Sequence, residues 1–365
     1  MSAGPESTTR IAIMIGQLGQ GGSERQLYTF LAHCDRERWS PIVYVSGTQG
    51  LWNDRIRELG IPVTLLRGNP VVKMWQFRQL CITNRVRRFF SWSAYTNGYG
   101  LALLGLDIPC VGSFRSVYPP GGIDSSGWLR SWMGLAAVST VVCNSQESAA
   151  AVRSRVGNSK QVAYFPNSVE PIRNMELCRT TWRQRLEISA NEVLLLGVGQ
   201  LTPLKNFTRF IETVALVNQS VPIRAVVAGR DEGSLESLRR RIDASGLEPG
   251  VIEFIGPVPN AQELMCAAEV FLLSSNYEGM PNVVLEAMSV GVPCVCTRVN
   301  GVSSLIEQGV NGFITDHRAD ALAEKVLLLV GDKRLREEMG AKAAERMKGS
   351  FNTKIIAARL WRLLE

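Results

Sequence analysis

Two glutamates in the second half of the chain have a spacing that suits the binding of hydroxyl groups. Glu278 follows the apolar run Val270–Leu273, and seven residues separate it from Glu286 in an apolar stretch. An unpaired carboxylate in apolar surroundings is costly, so Glu286 requires hydroxyl or N–H partners. A ribose diol would supply them. The alternative interpretation is a core glutamate whose oxygens accept hydrogen bonds from the backbone.

The turn between that strand and the helix that follows it offers an anion site. The helix is predicted to begin near Asn282, so the backbone N–H groups of Gly279–Val283 lack acceptors within it. Lys205 lies in a second turn, after the apolar run Val193–Val198. Ligands of open parallel sheets bind outside the carboxyl ends of the strands, so Lys205 is placed to contact a phosphate. A solvated turn lysine is the alternative.

A glycine-rich turn, residues 16–24, follows the first apolar run, Ile11–Ile15. Such a turn can direct backbone N–H groups at a phosphate or carboxylate, although a plain tight turn explains it as well. The dinucleotide fingerprint G-x-G-x-x-G would need a glycine at Glu24, and no acid follows the second strand to bind a ribose. A nicotinamide-dependent enzyme is therefore disfavoured.

Short apolar runs alternate with helical patterns in both halves of the chain. This alternation is typical of parallel α/β architecture. The segment Pro166–Arg173 is rich in Pro, Asn and Ser and suits a linker. At 365 residues the chain exceeds the roughly 250–300 that one core supports. We therefore expect two doubly wound domains facing across a cleft, over residues 1–170 and 171–351.

Composition excludes several classes of protein. The eight cysteines contain no C-x-x-C pair, and the Cys294/Cys296 pair lies in an apolar run that predicts a buried strand rather than a metal site. The longest uncharged run, residues 89–106, is interrupted by Ser, Asn and Gly, whereas a spanning helix needs about 20 mostly apolar residues. With no signal-like N-terminus, we expect a cytoplasmic protein with reduced thiols.

The net charge of +7 lies in the first half, where residues 1–170 hold 17 Lys/Arg against 10 Asp/Glu. Between Leu59 and Leu106 there is no acid. The spacing predicts an amphipathic helix over Met74–Phe90, with Trp75 and Ile82 on its apolar face. This surface is either a solvated helix face or one that contacts anionic lipid or a phosphate-bearing acceptor. Nucleic acid is disfavoured because no binding module accompanies the charge.

The chain resembles the family-4 retaining glycosyltransferases of GT-B fold over nearly its whole length. The resemblance rests on short motifs in both halves, of which the E-x7-E pair in its strand–turn–helix context is the specific one. The motifs are Gly21-Gly22-Ser23-Glu24, Cys143-Asn144-Ser145, Phe165-Pro166-Asn167, Gly199 with Lys205, Ala228-Gly229, Phe254-Ile255-Gly256, Glu278 with Glu286, and Gly291-Val292-Pro293.

The resemblance implies a nucleotide-sugar donor, linked to UDP, GDP or ADP, held mainly by the C-terminal domain. Lys205 would contact the diphosphate beside Gly199 and Gln200, and Glu286 would bind the ribose. Glu278 would bind the sugar hydroxyls and the distal phosphate, together with the backbone of Gly279, Met280, Pro281, Asn282 and Val283. Gly256 and Val258 would border the base, and Gly21 and Gly22 would approach from the first domain. A final helix, 352–365, would pack on the first domain.

The family's usual mechanism is attack on the same face as the leaving phosphate, which takes the acceptor proton. A lysine and helix amides would stabilise that phosphate without a metal, and the sequence contains no D-x-D. We expect no metal and no cofactor. Two positions depart from the family pattern. Gln200 replaces a frequent arginine, and Arg230 or Arg298 would supply the missing positive charge. Arg115 stands where a cleft histidine is common. Lys205, Glu278 and Arg115 are the candidate catalytic residues.

The resulting hypothesis is a transferase that moves a sugar to a saccharide or polyprenyl-linked acceptor in surface polysaccharide or lipopolysaccharide synthesis. The basic first domain would hold the acceptor and contact the inner face of the membrane peripherally. Two alternatives stay open. A GT-B-fold nucleotide-sugar epimerase would be expected to use histidines, of which the chain has two. A non-catalytic nucleotide-binding partner of an assembly complex would bind a donor without turnover.

Overall fold

The computed structural model describes residues 8–115, 133–189 and 191–365. The chain divides into two compact units, which we call the first and second units. The first unit comprises Met1–Asn167 and Thr353–Glu365, and the second comprises Ser168–Asn352. Each contains a parallel sheet with helices and hydrophobic clusters on both faces, so the predicted α/β class is confirmed. No helix among the described residues is long and apolar enough to cross a membrane.

The sheet of the first unit has seven strands in the order β3-β2-β1-β4-β5-β6-β7, and all pairs are parallel. The strands are β1 (Thr9–Ile15), β2 (Trp39–Val45), β3 (Val63–Leu65), β4 (Arg88–Ser91), β5 (Cys110–Phe114), β6 (Thr140–Cys143) and β7 (Gln161–Tyr164). The helices are α1 (Gly22–Ala32), α2 (Leu51–Glu58), α3 (Pro70–Thr83), a 3-10 helix (Ala94–Leu103), α4 (Gln146–Val156) and a 3-10 turn (Gly157–Ser159).

Alternate residues of the strands face opposite layers of the first unit. Ile11 and Ile13 of β1 pack in the layer that contains α1, whereas Ala12 and Met14 pack in the layer that contains α3. The central strands are buried on both faces, which explains why they read as continuous apolar runs. Sequence reasoning missed β7, because Gln161–Tyr164 is a short, half-exposed edge strand.

The predicted helix Met74–Phe90 is wrong in its extent and in its buried face. The helix is α3, which ends at Thr83, and Phe89 belongs to the buried strand β4. Arg85, between them, has a left-handed backbone with φ of 50° that breaks the helix. Phe77 and Cys81 form the buried side of α3, whereas Trp75 and Ile82 are exposed. The helical periodicity therefore predicted the wrong buried face, because residues of β4 were included in the helix.

The sheet of the second unit has six parallel strands in the order β10-β9-β8-β11-β12-β13. They are β8 (Leu194–Val198), β9 (Arg224–Ala228), β10 (Ile252–Gly256), β11 (Val270–Leu273), β12 (Cys294–Thr297) and β13 (Gly312–Thr315). The helices are α5 (Met175–Arg185), α6 (Phe207–Asn218), α7 (Leu235–Asp243), α8 (Ala261–Met265), α9 (Asn282–Ser289), α10 (Val302–Leu305), α11 (Ala319–Gly331) and α12 (Lys333–Ser350). The order reverses between β8 and β11, so the topological switch point lies there.

The last helix, α13 (Thr353–Leu363), belongs to the first unit. Its Trp361 ring stacks on Phe30 of α1 with ring centroids 4.3 Å apart and an interplanar angle of 15°. The Trp361 indole also donates to the Phe30 carbonyl at 3.3 Å. Leu360 and Leu364 are buried in the same cluster as β1. The C-terminal segment therefore completes one face of the first sheet.

Candidate functional site

Two loops meet at the switch point of the second unit. The loop after β8 carries Lys205, and the loop after β11 carries Glu278. Lys205 Nζ donates to Glu278 Oε1 at 2.6 Å, and the two side chains are 25% and 12% exposed. Ser275 Oγ donates to the same carboxylate oxygen at 2.7 Å. The two predicted residues therefore form a largely buried ion pair at the place where open parallel sheets bind ligands.

Polar contacts hold the two loops together. Asn206 has a left-handed backbone and caps α6, where its Oδ1 accepts from the Arg209 N–H at 3.2 Å. Its Nδ2 donates across to Asn276 Oδ1 at 3.1 Å. Ser274 Oγ returns a hydrogen bond to the Lys205 carbonyl at 3.0 Å. These bonds fix the backbone of the residue that carries the candidate phosphate-binding ammonium.

Two further bonds brace the loop that carries Glu278. Arg209 Nη1 donates to the Ser274 carbonyl at 2.7 Å. Thr297, at the end of β12, donates to the Ser275 carbonyl at 2.6 Å. Sequence reasoning missed Arg209, Ser275 and Thr297. The signal available was the pair of serines directly after an apolar strand, where hydroxyls serve loop geometry.

Helix α9 begins directly after this loop, as the sequence predicts. Its N-cap residue is Pro281, which has no side-chain acceptor for the first N–H groups of the helix. Met280 is buried beneath the turn, and Gly301 packs on it with a φ of 78°. A Cβ at Gly301 would lie 2.8 Å from the Gly279 carbonyl oxygen. The backbone at the start of α9 is therefore held by close packing rather than by a side-chain cap.

Glu286 lies one turn inside α9 and is 6% exposed. Its helix neighbours Val284, Leu285, Ala287 and Met288 are buried in the main core of the second unit. Glu286 and Glu278 are thus both carried by the loop–helix segment after β11, and both are shielded from solvent.

Close backbone approach shapes the carboxyl ends of the neighbouring strands. A Cβ on Gly229 would lie 1.7 Å from the Gly199 carbonyl oxygen, so only glycine fits there. Gly199 and Gly229 each donate a ladder hydrogen bond, to Ala228 and to Gly256, at 2.9 Å. Gly256 has a φ of 72° and follows an irregularity in the β9–β10 register. Val258, next along that loop, packs partly buried against the core.

The two proposed substitutes for the missing cation at Gln200 differ in position. Gln200 Nε2 donates to Glu232 Oε1 at 3.4 Å, and Arg230 forms an ion pair with the same oxygen at 2.5 Å. Arg230 and Gln200 therefore contact the same carboxylate oxygen, that of Glu232. Arg298 is exposed after β12, where its carbonyl contacts His317 Nε2 at 2.8 Å. Arg230, unlike Arg298, shares a polar cluster with Gln200.

The glycine turn of the first unit leads into α1, with Gly21 as N-cap and Gly22 as the first helical residue. Glu24 is 5% exposed, and burial raises the pKa of its carboxyl group. A Cβ at Gly21 would lie 2.1 Å from Glu24 Oε2, so the carboxylate folds back over the turn. Trp92 Nε1 donates to the Ser23 carbonyl at 2.9 Å and ties the turn to the end of β4.

Arg115 follows β5, and its guanidinium lies over the Trp92 ring, 3.6 Å from the centroid. Its Nη1 donates to Asn167 Oδ1 at 3.2 Å. The sequence stretch that carries this predicted cleft residue continues to residue 120, and residues 116–120 lie outside the described residues. Within residues 8–115, 133–189 and 191–365, no three His, Cys, Asp or Glu side chains form a group suited to a metal ion.

Two protein-family models match the chain. A model described as Glycosyltransferase Family 4 matches residues 20–173, and one described as Glycosyl transferases group 1 matches residues 179–346. The chain belongs to the family-4 glycosyltransferases. The first match ends with the predicted linker, Pro166–Arg173, the second begins after it, and together they span most of the chain.

Solved structures show the GT-B fold of this family-4 glycosyltransferase. Anabaena Alr3699/HepE in complex with UDP and glucose superposes with a TM-score of 0.86 and 21% identity, over 98% of this chain and 99% of that one. WaaG, a glycosyltransferase involved in lipopolysaccharide biosynthesis, superposes with a TM-score of 0.75 and 16% identity, over 97% and 99%. The predicted fold class is confirmed.

Curated relatives align over shorter segments. N-acetyl-alpha-D-glucosaminyl L-malate synthase of Bacillus anthracis is 26% identical over 49% of this chain and 47% of that protein. The lipopolysaccharide core biosynthesis glycosyltransferase LpsE of Rhizobium meliloti (strain 1021) is 27% identical over 50% of this chain and 52% of that protein. The chain therefore spans about half the length of these relatives.

The predicted site residues of this family-4 glycosyltransferase fall into two groups. Lys205, Glu278 and Glu286 lie in the second unit, where Lys205 and Glu278 are in contact. Arg115 and the turn at Gly21 lie in the first unit, where Trp92 links them. Sequence reasoning did not assign Trp92 to a site.

Proposed function

We propose that this chain is a retaining glycosyltransferase that uses a nucleotide-sugar donor in polysaccharide or lipopolysaccharide synthesis. The observation that carries the proposal is the buried Lys205–Glu278 pair beside the start of α9, at the switch point of the second sheet. A cation and the positive end of a helix suit a diphosphate, and a carboxylate suits sugar hydroxyls. Solved neighbours contain UDP and UDP-glucose.

The donor exchanges partners with the ion pair in this proposal. The donor phosphate competes with Glu278 for the Lys205 ammonium and reaches the backbone of Gly279–Asn282, in which every residue except Pro281 has an N–H group. Glu278 then accepts hydrogen bonds from the sugar hydroxyls. Glu286, which is buried one turn inside α9, binds the ribose diol. The turn at Gly256 and Val258 borders the base, and the Gly199–Gln200 backbone lies along the diphosphate.

Catalysis consists mainly of stabilising the leaving group. The acceptor hydroxyl oxygen forms a bond to the anomeric carbon on the face from which the phosphate departs. The bond between that carbon and the phosphate oxygen breaks, and the departing phosphate takes the acceptor's proton. Lys205 and the N-terminal amides of α9 stabilise the growing negative charge, which one preorganised donor typically accelerates about 10²–10³-fold. No metal is required in this scheme, because these groups supply the positive charge.

The acceptor proposed is a saccharide or a polyprenyl-linked saccharide, bound by the first unit. One relative is named UDP-Gal:alpha-D-GlcNAc-diphosphoundecaprenol alpha-1,3-galactosyltransferase, from Escherichia coli. A lipid-linked acceptor calls for contact with a membrane surface. Helix α3 offers apolar side chains for such contact, with Val71 76% exposed and Trp75 62% exposed.

The charge of this segment supports peripheral contact between that surface and an anionic membrane. Residues 60–106 contain no acid and six basic residues. Arg67, Arg85 and Arg87 are exposed, and Lys73 and Arg78 are half-buried. Basic residues near an anionic bilayer contribute about 1 kcal/mol each at low screening, and aromatic rings suit its interface. The exposed apolar side chains of α3 and the basic residues of the same sequence segment are the two features that interfacial binding requires.

Vesicle sedimentation tests the membrane contact. The double variant Val71→Ser with Trp75→Ser should reduce binding to phosphatidylglycerol vesicles about tenfold and leave binding to phosphatidylcholine vesicles weak. The matched control is Leu328→Ser, which removes a 46% exposed leucine of the second unit. Equal sedimentation of the double variant and the control would remove this part of the proposal.

Product analysis tests the transferase itself. The full chain is incubated in EDTA with UDP-, GDP- or ADP-glucose and GlcNAc-diphosphoundecaprenol, and the product is examined by NMR. The proposal expects a new glycosidic bond in the α configuration with one of the three donors. Free nucleotide with an isomerised sugar and no bond would indicate the epimerase. Donor binding without any turnover would indicate a non-catalytic partner.

A further inference from the structure

Arg115 carries a buried positive charge in an unusual setting. The residue keeps part of its surface exposed, but its Nε atom is buried and has no hydrogen-bond partner in the part of the chain described. Its guanidinium has two neighbours of note, the face of Trp92 at 3.6 Å and Asn167 Oδ1 at 3.2 Å. A guanidinium has five N–H donors, so most of its hydrogen-bonding capacity faces neither group.

No carboxylate compensates this charge among the described residues. None of the ion pairs formed by their Asp and Glu side chains includes Arg115. Burial accordingly lowers the pKa of its guanidinium, which nevertheless stays protonated at neutral pH. An aromatic face and an amide oxygen only partly replace the water that burial removes. The folded protein therefore holds a cation that an anion would stabilise.

Two other unsatisfied polar atoms lie beside Arg115. Ser113 Oγ and Asn144 Oδ1 are buried without hydrogen-bond partners in the described structure. Val111 of β5 and Val142 of β6 pack in the same cluster as Trp92. Side chains two residues apart share a face, so Ser113 and Asn144 point to the layer that contains the stacked guanidinium.

Backbone contacts fix this arrangement. Asn144 Nδ2 donates to the Arg115 carbonyl at 3.1 Å, which orients the amide beside the arginine. Asn97 clamps the backbone of Ser113, accepting from its N–H at 3.1 Å and donating to its carbonyl at 3.3 Å. Ser113 is fully buried and Asn144 is 3% exposed. Buried polar atoms are normally paired, so three unpaired ones in one place indicate a ligand that pairs them.

We propose that Arg115, Ser113 and Asn144 form a subsite for an anionic group of a substrate, a phosphate or a carboxylate. The guanidinium pairs with the anion, and the Ser113 hydroxyl donates to it. Asn144 Oδ1 accepts from a hydroxyl of the same molecule. The inference rests on the proposed function, because the anion belongs either to the donor diphosphate or to the acceptor. Trp92 holds the guanidinium planar against the end of β4.

A purely structural role makes the opposite predictions. If Arg115 served only to brace Trp92 and Asn167, its replacement would destabilise the protein and leave anion binding intact. If Arg115 binds an anion, replacing it with a neutral side chain of similar length removes a buried charge that no described carboxylate neutralises, and the ligand-free protein does not lose stability. Arg115→Met preserves apolar contact with the ring and removes the charge. Arg115→Lys preserves the charge and removes the planar fork.

Thermal melts of the full chain with methyl phosphate as the probe separate the two roles. At ten times the dissociation constant, methyl phosphate should raise the Tm of wild type by about 4 °C. Arg115→Met should lose the Arg115-dependent part of that rise while its Tm without anion equals or exceeds that of wild type. Arg115→Lys should restore part of the rise. The control is Arg55→Met, which removes an exposed arginine 5.2 Å from the Trp52 ring and should change nothing.

A second arm identifies the source of the anion. The same titration is repeated with saturating UDP-glucose. Loss of the Arg115-dependent rise would assign the subsite to the donor phosphate, and persistence would assign it to an anionic acceptor. The proposal is overturned if Arg115→Met keeps the full methyl phosphate rise, or if neither the wild type nor Arg115→Lys shows one. Failure of the proposed function reads out separately, as absence of any UDP-dependent shift in wild type.

Discussion

Lys205 and Arg115 are both cations at the carboxyl ends of parallel strands, one in each unit, and their surroundings differ sharply. Lys205 Nζ lies 2.6 Å from a carboxylate that also accepts from Ser275. Arg115 has an aromatic ring and one amide oxygen in the described structure, and its Nε is unpaired. A carboxylate neutralises the first cation, whereas none among the described residues neutralises the second.

This difference shows two ways to prepare a site for a negative ligand. A paired cation costs little in the ligand-free state, but the ligand must displace the internal carboxylate. An unpaired buried cation lowers the stability of the ligand-free state, and the ligand recovers that loss on binding. Lys205 is proposed to act on the leaving phosphate and Arg115 to receive an anion. Removing the Lys205 charge should therefore lower the stability of the ligand-free protein, whereas removing the Arg115 charge should preserve or raise it.

The largest effect is expected for Lys205→Met. Turnover should fall about 10²–10³-fold, because the leaving phosphate loses its principal cation. Stability should fall by about 1–3 kcal/mol, since Glu278 is left partly buried with only the Ser275 hydroxyl. Steady-state kinetics and thermal melts measure the two quantities.

Lys325→Met provides the matched control for that variant. Lys325 is also in the second unit and pairs with Glu324 at 2.7 Å, far along the chain from the switch-point loops. It should keep full activity and full stability. Equal activity and stability of Lys205→Met and Lys325→Met would show that the Lys205–Glu278 pair has no special role in either property.

The second prediction concerns Glu278→Gln, which leaves Lys205 without its counter-ion and so makes it resemble Arg115. Because the carboxylate no longer competes for the ammonium, UDP should bind about threefold tighter, a gain below 1 kcal/mol. Turnover should fall about 10²-fold, because the carboxylate no longer orders the sugar. Isothermal titration and kinetics follow both changes. A weaker affinity for UDP would show that Glu278 does not compete with the phosphate.

Gly229→Ala tests the close backbone contact between Gly229 and Gly199. Gly229→Ala places a methyl group where the Gly199 carbonyl oxygen would be 1.7 Å away, so the two loops must separate. We expect a loss of about 2–4 kcal/mol in unfolding free energy, together with weaker UDP binding. Gly331→Ala is the control, since Gly331 has neither a positive φ nor any atom within 4 Å of its added Cβ. Equal losses in both variants would show that the contact with the Gly199 carbonyl is not the cause.

The smallest effect is expected at Glu24, the first unit's buried acid. Burial raises the pKa of its carboxyl group above the usual 4.5, so the native state keeps its proton where the unfolded chain loses it. The stability from this group is therefore greatest below pH 4.5 and declines as pH rises through the native pKa. Glu24→Gln should melt about 2 °C above wild type at pH 7.5 and show no such advantage at pH 4. An advantage of the same size at both pH values would exclude ionisation as the cause.

The sequence predicted the parallel strands and the loops of the second unit well, because buried parallel strands read as apolar runs with clear ends. Lys205 and Glu278 were recognisable for the same reason, since each follows such a run. Their direct contact was not predictable, because it depends on β8 and β11 being neighbours, which is a property of sheet order. The helix over Met74–Phe90 failed because Phe89 belongs to a buried strand whose side chains happen to continue a helical period.

The subsite in the first unit shows what spacing alone cannot show. Trp92, Ser113 and Asn144 come from three different strand ends, and their common face follows from the register of β4, β5 and β6. An unpaired atom is also a property of the folded state, since a sequence gives residue types and not the partners that burial leaves them. Arg115 was singled out from its position in a family pattern, whereas the structure supplies the physical reason.

Isothermal titration of UDP in EDTA, into wild type, Lys205→Met and Lys325→Met, measures whether the nucleotide binds through the Lys205–Glu278 site. Binding there predicts that Lys205→Met weakens UDP binding about tenfold or more, a loss of at least 1.4 kcal/mol, and that Lys325→Met leaves it unchanged. Equal affinities for all three proteins would show that the nucleotide binds at a different site.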